Sequence, residues 1–254
     1  PPPPPPVHTE ISEFENIERP NYFYCVWQGA VLAKRLGYKR ISVIEFGVAG
    51  GNGLLALERH AEQISRELQI DIEVYGFDTS EGLPSPIDVR DLPYWWKKGL
   101  FHMDNIEELK RRLHSAKLII GDIRETSGEF FKYDPAPIAA VMHDMDLYSS
   151  TKAAFEFFNA DEKYLLPRIF NYFDDIIGSS ISLFSDFTGE RLAINEYNTS
   201  HEHRKFSPAY CLLCRKSIEV WYHQIFILHL FDHGRYNDFI RKEEDADPRL
   251  LLKV

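Results

Sequence analysis

Cysteine is scarce in this chain. Its 254 residues carry three, Cys25, Cys211 and Cys214. An odd count without a secretory signal argues against a disulfide framework and fits a reducing, cytoplasmic setting. Cys211-x-x-Cys214 has the spacing of a redox pair or half a zinc site, but no second pair completes it. Two buried thiols in an apolar segment is the plainer reading. No apolar run reaches the length of a membrane span. Positive charge is in deficit too: 29 Lys and Arg stand against 39 Asp and Glu, a formal net charge of −10. Nucleic acid and anionic membranes both require basic surface, so neither is expected as a partner. Aromatics, in contrast, are plentiful at 18 Phe, 13 Tyr and 4 Trp, enough to build a sizeable core in one α/β domain.

Six prolines open the chain and read as a disordered polyproline stretch. Residues 1–20 are expected to be a polar, acidic tail, 21–240 one domain, and 241–254 a charged tail. Within the domain the most organised stretch is Ile41 to Leu57, I-S-V-I-E-F-G-V-A-G-G-N-G-L-L-A-L. A short β-branched run enters a loop with four glycines, Gly47, Gly50, Gly51 and Gly53, and leaves as an apolar helical stretch. Strand, glycine loop and helix form the nucleotide-handling corner of an α/β protein. Glycine permits φ > 0 and close approach of a ligand to the backbone. The dinucleotide fingerprint fits only with its first glycine five residues beyond the strand. The alternative is Glu45-x-Gly47-x-x-x-Gly51, which is similar to motif I of class I S-adenosylmethionine (SAM) methyltransferases. An acidic strand end suits a ligand carrying an ammonium and a sulfonium better than a pyrophosphate. A purely structural turn is the third reading.

Helical spacing of apolar residues predicts a helix over Asn21 to Leu36, closed by Gly37. The helix of the glycine corner runs to about Leu68. Strands are expected at Asp71 to Asp78, Lys117 to Gly121, Ile138 to Asp146 and Arg168 to Asp175. Helices are expected at Asn105 to His114, Ser150 to Phe158 and Phe187 to Asn198. The strand–helix alternation implies a parallel sheet with right-handed crossovers. Two later strand-like runs, Ala209 to Cys214 and Gln224 to Phe231, are expected to form an antiparallel closing pair. Parallel strands bring their C-terminal ends to one edge. Glu45, Asp78, Asp122, Asp144, Asp146, Asp174 and Asp175 should therefore converge there.

Asp78, at the end of the second strand, is placed to bind ribose hydroxyls, or to cap the next turn. Asp122 ends the third strand, where an adenine would lie. Asp144, Asp174 and Asp175 could hold a hard divalent cation such as Mg²⁺ through oxygen ligands; the alternative is that they cap helices. Residues 84–101, with Tyr94, Trp95 and Trp96 in a row, are a candidate lid over an acceptor, or a loop pinned by its aromatics. His102 follows that segment and is a candidate general base, against the plainer reading of a surface histidine.

Four stretches together resemble one family. V-I-E-F-G-V-A-G-G-N-G, Y-G-F-D-T-S-E-G-L-P-S-P, H-D-M-D-L-Y-S-S-T-K-A-A and F-D-D are similar to the macrocin O-methyltransferase (TylF/MycF-type) family of class I SAM methyltransferases. The likeness spans about residues 40–200, with Met145 where the family has glycine. It implies a Rossmann-like α/β fold: a mostly parallel seven-stranded sheet with an antiparallel closing strand and helices on both faces. It implies SAM- and Mg²⁺-dependent methylation of a hydroxyl on a sugar or glycosylated natural product. Carried over by motif, Glu45, Gly47 and Gly51 meet the methionine part of SAM, with Asp78 and Thr79 beside its ribose. Asp144, Asp174 and Asp175 are the implied metal ligands, and Asp144 also serves the chemistry. The expected partner is a small-molecule acceptor, with a homo-oligomer compatible with the sequence. The alternatives are an NAD(P)-dependent oxidoreductase and a catalytically silent SAM- or metal-binding subunit.

Overall fold

The computed structural model of the chain describes residues 17–215 and 218–242. The polyproline opening and almost all of the charged C-terminal tail lie outside these residues. The described chain runs α1 (Pro20–Arg35), β1 (Arg40–Phe46), α2 (Asn52–Leu68), β2 (Asp71–Asp78), α3 (Ile106–Arg112), β3 (Lys117–Ile120) and α4 (Ile123–Phe130). It continues with β4 (Ile138–His143), α5 (Tyr148–Ala154), β5 (Leu165–Phe173), α6 (Gly189–Ser200), β6 (Arg204–Pro208), α7 (Tyr210–Leu213) and β7 (Ile225–Leu230).

The strands form one seven-stranded sheet in the order β3-β2-β1-β4-β5-β7-β6. Pairings from β3 through β5 are parallel. β7 alone runs against its neighbours, pairing antiparallel with both β5 and β6. β4 is buried at every residue and β1 at all but Arg40, as strands covered on both faces must be. Successive side chains of a strand point to opposite faces. Glu45 accordingly meets Tyr22 of α1, whereas Phe46 meets Phe157, just beyond α5, at a ring separation of 5.0 Å. α1 packs on β4, β5 and α2, while α5 packs between α4 and α6. Among the described residues no helix is long and apolar enough to cross a membrane.

Two expectations change. Ala209 to Cys214 is not a strand: it holds the short helix α7, and Cys211 and Cys214 are free and exposed rather than buried. The sixth strand is Arg204–Pro208, where only Phe206 is buried. An edge strand needs one apolar contact and tolerates a proline, so its sequence carries little alternation. The second change is α4, which was not expected. It starts on Asp122, whose side chain accepts from the Arg124 N–H.

The β1–α2 loop depends on glycine at Gly47. Its φ is +84°, and a Cβ there would lie 1.8 Å from the Asp144 carbonyl oxygen. Gly50 has no atom within 4 Å of such a Cβ. Gly47→Ala should therefore destabilise the protein by more than about 1 kcal/mol, with Gly50→Ala close to neutral. Urea denaturation of the two variants checks this, and equal midpoints would contradict it.

Candidate active site

Beneath the glycine loop sits Glu45, 1% exposed. Tyr22 donates a 2.8 Å hydrogen bond to its Oε1, and its Oε2 is buried with no partner. Gly53 lets α2 pass over this carboxylate, since a Cβ there would meet Glu45 Oε1 at 1.9 Å. Burial pushes the Glu45 carboxyl up to about 8, against the lowering effect of the Tyr22 hydrogen bond and with further upward pressure from Asp144. Gly51, with φ +86°, caps α2 and packs against Leu109. Glu45 and Gly51 therefore shape the loop without lining the cavity above it.

That cavity, of about 490 Å³, joins Gly47, Asp78, Thr79 and Asp122 at one end to Asp144, Asp174 and Asp175 at the other. Asp78 Oδ2 accepts from the backbone N–H groups of Val48 (2.8 Å) and Ala49 (2.9 Å), and Oδ1 from that of Ser80 (2.6 Å). Strand-end acid and glycine loop thus hold each other. Three of the roughly four acceptor positions of a carboxylate are filled. The Thr79 hydroxyl closes a turn by donating to the Gly82 carbonyl. Asp122 caps α4 and is forked by Arg124, whose guanidinium holds its carboxyl below the usual range.

At the other end, ligand oxygens of Asp144, Asp174 and Asp175 lie within 4.8 Å of one another. β4 and β5 are adjacent, which brings the first to the other two. Tyr172 donates to Asp174, and Gln224 Nε2 holds the Asp174 carbonyl at 2.8 Å. Asp175 Oδ2 accepts from the Asp146 N–H at 3.0 Å, and the Asp175 N–H donates to Glu190 Oε2 at 3.0 Å. Asp146 takes a left-handed φ of 62°, a conformation Asp accepts more readily than most residues. Burial, then the charges of Asp174 and Asp146, push Asp144 up to about 8. Asp146 is pushed to about 7 by its burial, and Asp175 and Glu190 stand well above ordinary carboxyls for the same first reason. Acidic side chains in such number share a space only if protons or a cation neutralise them. An oxygen-only donor set fits a hard divalent cation.

The structure does not bring His102 to the cavity. Its ring is exposed and paired with Asp104 at 2.7 Å. His143, beside Asp144, is fully buried, stacks on Phe173 and contacts Asn171 Oδ1 at 3.1 Å. Burial pushes it down to about 3, which keeps it neutral. Residues 84–101 fold against the cavity mouth. Trp96 and Phe101 line the cavity, while Tyr94 turns away to donate to the Ser182 carbonyl at 2.8 Å. Fully buried Asp91 staples the segment to α5 by accepting from the Ser149 N–H (2.8 Å) and hydroxyl (2.9 Å). Sequence reasoning missed Asp91 and Glu190, both buried acids whose partners are remote in the chain. It placed Asp146 at the sheet edge without giving it a role.

No family model and no curated protein matches the chain. Among solved structures, that of CalS11, a calicheamicin methyltransferase, is 20% identical over 87% of this chain and 83% of its own, with a TM-score of 0.57. An apo structure of CalS11, described as a TDP-rhamnose 3'-O-methyltransferase, is 19% identical over 89% and 87%, at 0.47. The O-methyltransferase from Bacillus cereus in complex with SAH is 12% identical over 88% and 90%, at 0.44. The first likeness shows that the two chains share this fold, a mostly parallel seven-stranded sheet with helices on both faces. The other two superpose too loosely to add to it.

The acidic end carries a pH signature. A carboxyl raised above its unfolded value of about 3.9 contributes stability that is present at low pH and is lost as pH rises through its folded value. For Asp146 and Asp144 those values are about 7 and about 8. In a chelator, the melting temperature should fall as pH rises from about 4 to about 8 and level off above that, and excess Mg²⁺ should flatten the fall. A melting temperature independent of pH in chelator would contradict the electrostatic reading.

Proposed function

We propose that this chain is a SAM-dependent, divalent-cation-dependent O-methyltransferase acting on a hydroxyl of a sugar or glycosylated natural product. One observation carries the reading: a single cavity has the glycine loop with Asp78 at one end and three convergent carboxylates at the other. When bound, SAM supplies an electrophilic methyl on a sulfonium, and the cation supplies Lewis acidity toward the acceptor oxygen.

The chain's own residues do the rest. Asp78 and Thr79 orient the ribose, and the Gly47 backbone approaches the methionine part. Asp144, Asp174 and Asp175 hold the cation and fix the acceptor against the methyl end of the cavity. Positioning of this kind supplies the larger share of such a rate enhancement. The acceptor oxygen gains the methyl as the carbon–sulfur bond breaks, and the hydroxyl proton leaves toward the carboxylates, with Asp144 as its first acceptor. Trp96 and Phe101, on the segment held by Asp91, cover the acceptor end and exclude water.

The loop argues against a dinucleotide. The N–H groups of Val48 and Ala49, which would face a pyrophosphate, are taken by the Asp78 carboxylate. Arg124 is the one basic residue on the wall among the described residues, and it is committed to Asp122. The mouth is apolar instead. Ile87 and Phe101 are exposed on the wall, and Ile181 and Leu183 stand exposed on the loop that Tyr94 ties to it. A glycoside with an apolar aglycone suits this rim better than a sugar diphosphate.

Turnover should vanish in chelator and return with Mg²⁺, while SAM affinity measured by calorimetry stays within about threefold, since the carboxylate cluster and the loop are separate ends of the cavity. NAD⁺ should give no heat. Asp175→Asn should resemble the chelated enzyme, an amide being a poorer ligand than a carboxylate. Full turnover in excess chelator would leave the cluster a structural feature. SAM binding without turnover on any glycoside would point to a silent subunit.

A further inference from the structure

Glu190 is 0% exposed, and burying a carboxyl costs free energy that an apolar side chain of the same shape would not. It stands in the first turn of α6, where the helix dipole favours an acidic side chain, but its contacts lie outside that helix. Oε2 accepts from the Asp175 N–H at 3.0 Å, and Oε1 lies 3.4 Å from the Thr151 hydroxyl of α5. Glu190 does not itself line the cavity, whereas Asp175 does. The buried acid therefore meets the site only through the residue it holds.

The parallel ladder between β4 and β5 ends at Phe173, so the two acids that follow need other partners. Asp174 has Tyr172 on its side chain and Gln224 on its carbonyl. Asp175 stands at φ −96° and ψ 24°, in the sparsely populated region between helix and strand where many active-site residues sit. Two groups remote in the chain hold it there: the Asp146 N–H on Oδ2, and Glu190 on its own N–H. A carboxylate gripped through one oxygen still swings with its backbone, and the second grip stops that swing. We propose that Glu190 is a positioning residue, the acceptor that sets the Asp175 carboxylate in place beside Asp144 and Asp174 and so sets the affinity of the cluster for its cation. This rests on the cation reading above and adds a residue that none of the four motif stretches contains. The bond needs an oxygen lone pair at this position, not a charge.

Mn²⁺ titration of the full chain, followed by loss of the free-ion electron paramagnetic resonance signal, tests this without acceptor or turnover. The wild type should bind the ion. Glu190→Leu, which keeps the volume and removes the acceptor, should weaken binding about 10-fold or more, the range for partners that orient metal ligands. Glu190→Gln should stay within about threefold of the wild type, because its amide oxygen accepts the same bond. Glu190→Asp keeps the acid but draws its oxygen back from Asp175, so it should fall with Glu190→Leu. If Glu190→Leu does not fold, the contrast between Glu190→Asp and Glu190→Gln decides. Glu190→Gln as weak as the others would mean that the acid acts on the cation through its charge, and unchanged binding in all three would mean that Asp175 keeps its place unaided. Either overturns the assignment while the cation reading stands. A wild-type protein that takes up no Mn²⁺ overturns both.

Discussion

Mutual repulsion of carboxylates at one edge of a parallel sheet is the constraint on which the rest of this structure depends. Asp144 and Asp146 follow β4, Asp174 and Asp175 follow β5, and Glu190 arrives at the start of α6. Burial and one another's charge push most of these acids far from their ordinary range. Such an arrangement is not a stable design for its own sake: an apolar edge of the same shape would be easier to bury. Backbone N–H groups and Tyr172 orient the oxygens, and on the proposed function a neutralising cation would turn the repulsion into a binding energy. The fold contributes by making β4 and β5 neighbours, so that acids some thirty residues apart in sequence share one space.

The same edge explains the glycine loop. Gly47 is required because the loop runs against the Asp144 backbone. The two ends of the cavity are therefore mechanically joined: the residue that turns the chain out of β1 leans on the residue that begins the carboxylate cluster. Asp78 ties the loop from the other side through the Val48 and Ala49 amides. The glycine loop and the acidic corner are thus tied together, as precise positioning in the proposed reaction would require.

Much of this was legible in the sequence where burial is two-sided. β1 and β4 are continuous apolar runs because helices cover both faces, and their terminal acids mark the sheet edge directly. Asp144, Asp174 and Asp175 could be grouped from topology alone. β6 was not legible, since R-K-F-S-P buries only Phe206 and reads as a loop. α4 was hidden for a related reason: only Ile123 and Phe130 of its eight residues are buried, too few to set a period. Asp91 and Glu190 look like surface acids until their partners at Ser149 and Asp175 are known. His102 shows the opposite case. Its place after an aromatic segment suggested chemistry, but its ring faces solvent beside Asp104.

The central claim is that the carboxylate cluster and the SAM corner are two ends of one reaction space. Mn²⁺ substituted for Mg²⁺ tests this directly, because its unpaired electrons broaden only nearby nuclear resonances. With SAM carrying a ¹³C-labelled methyl group bound to the Mn²⁺-loaded protein, the methyl signal should broaden strongly while the adenine protons broaden less, and Asp175→Asn should abolish the effect. A methyl resonance unaffected by bound Mn²⁺, or broadened equally in Asp175→Asn, would contradict the account.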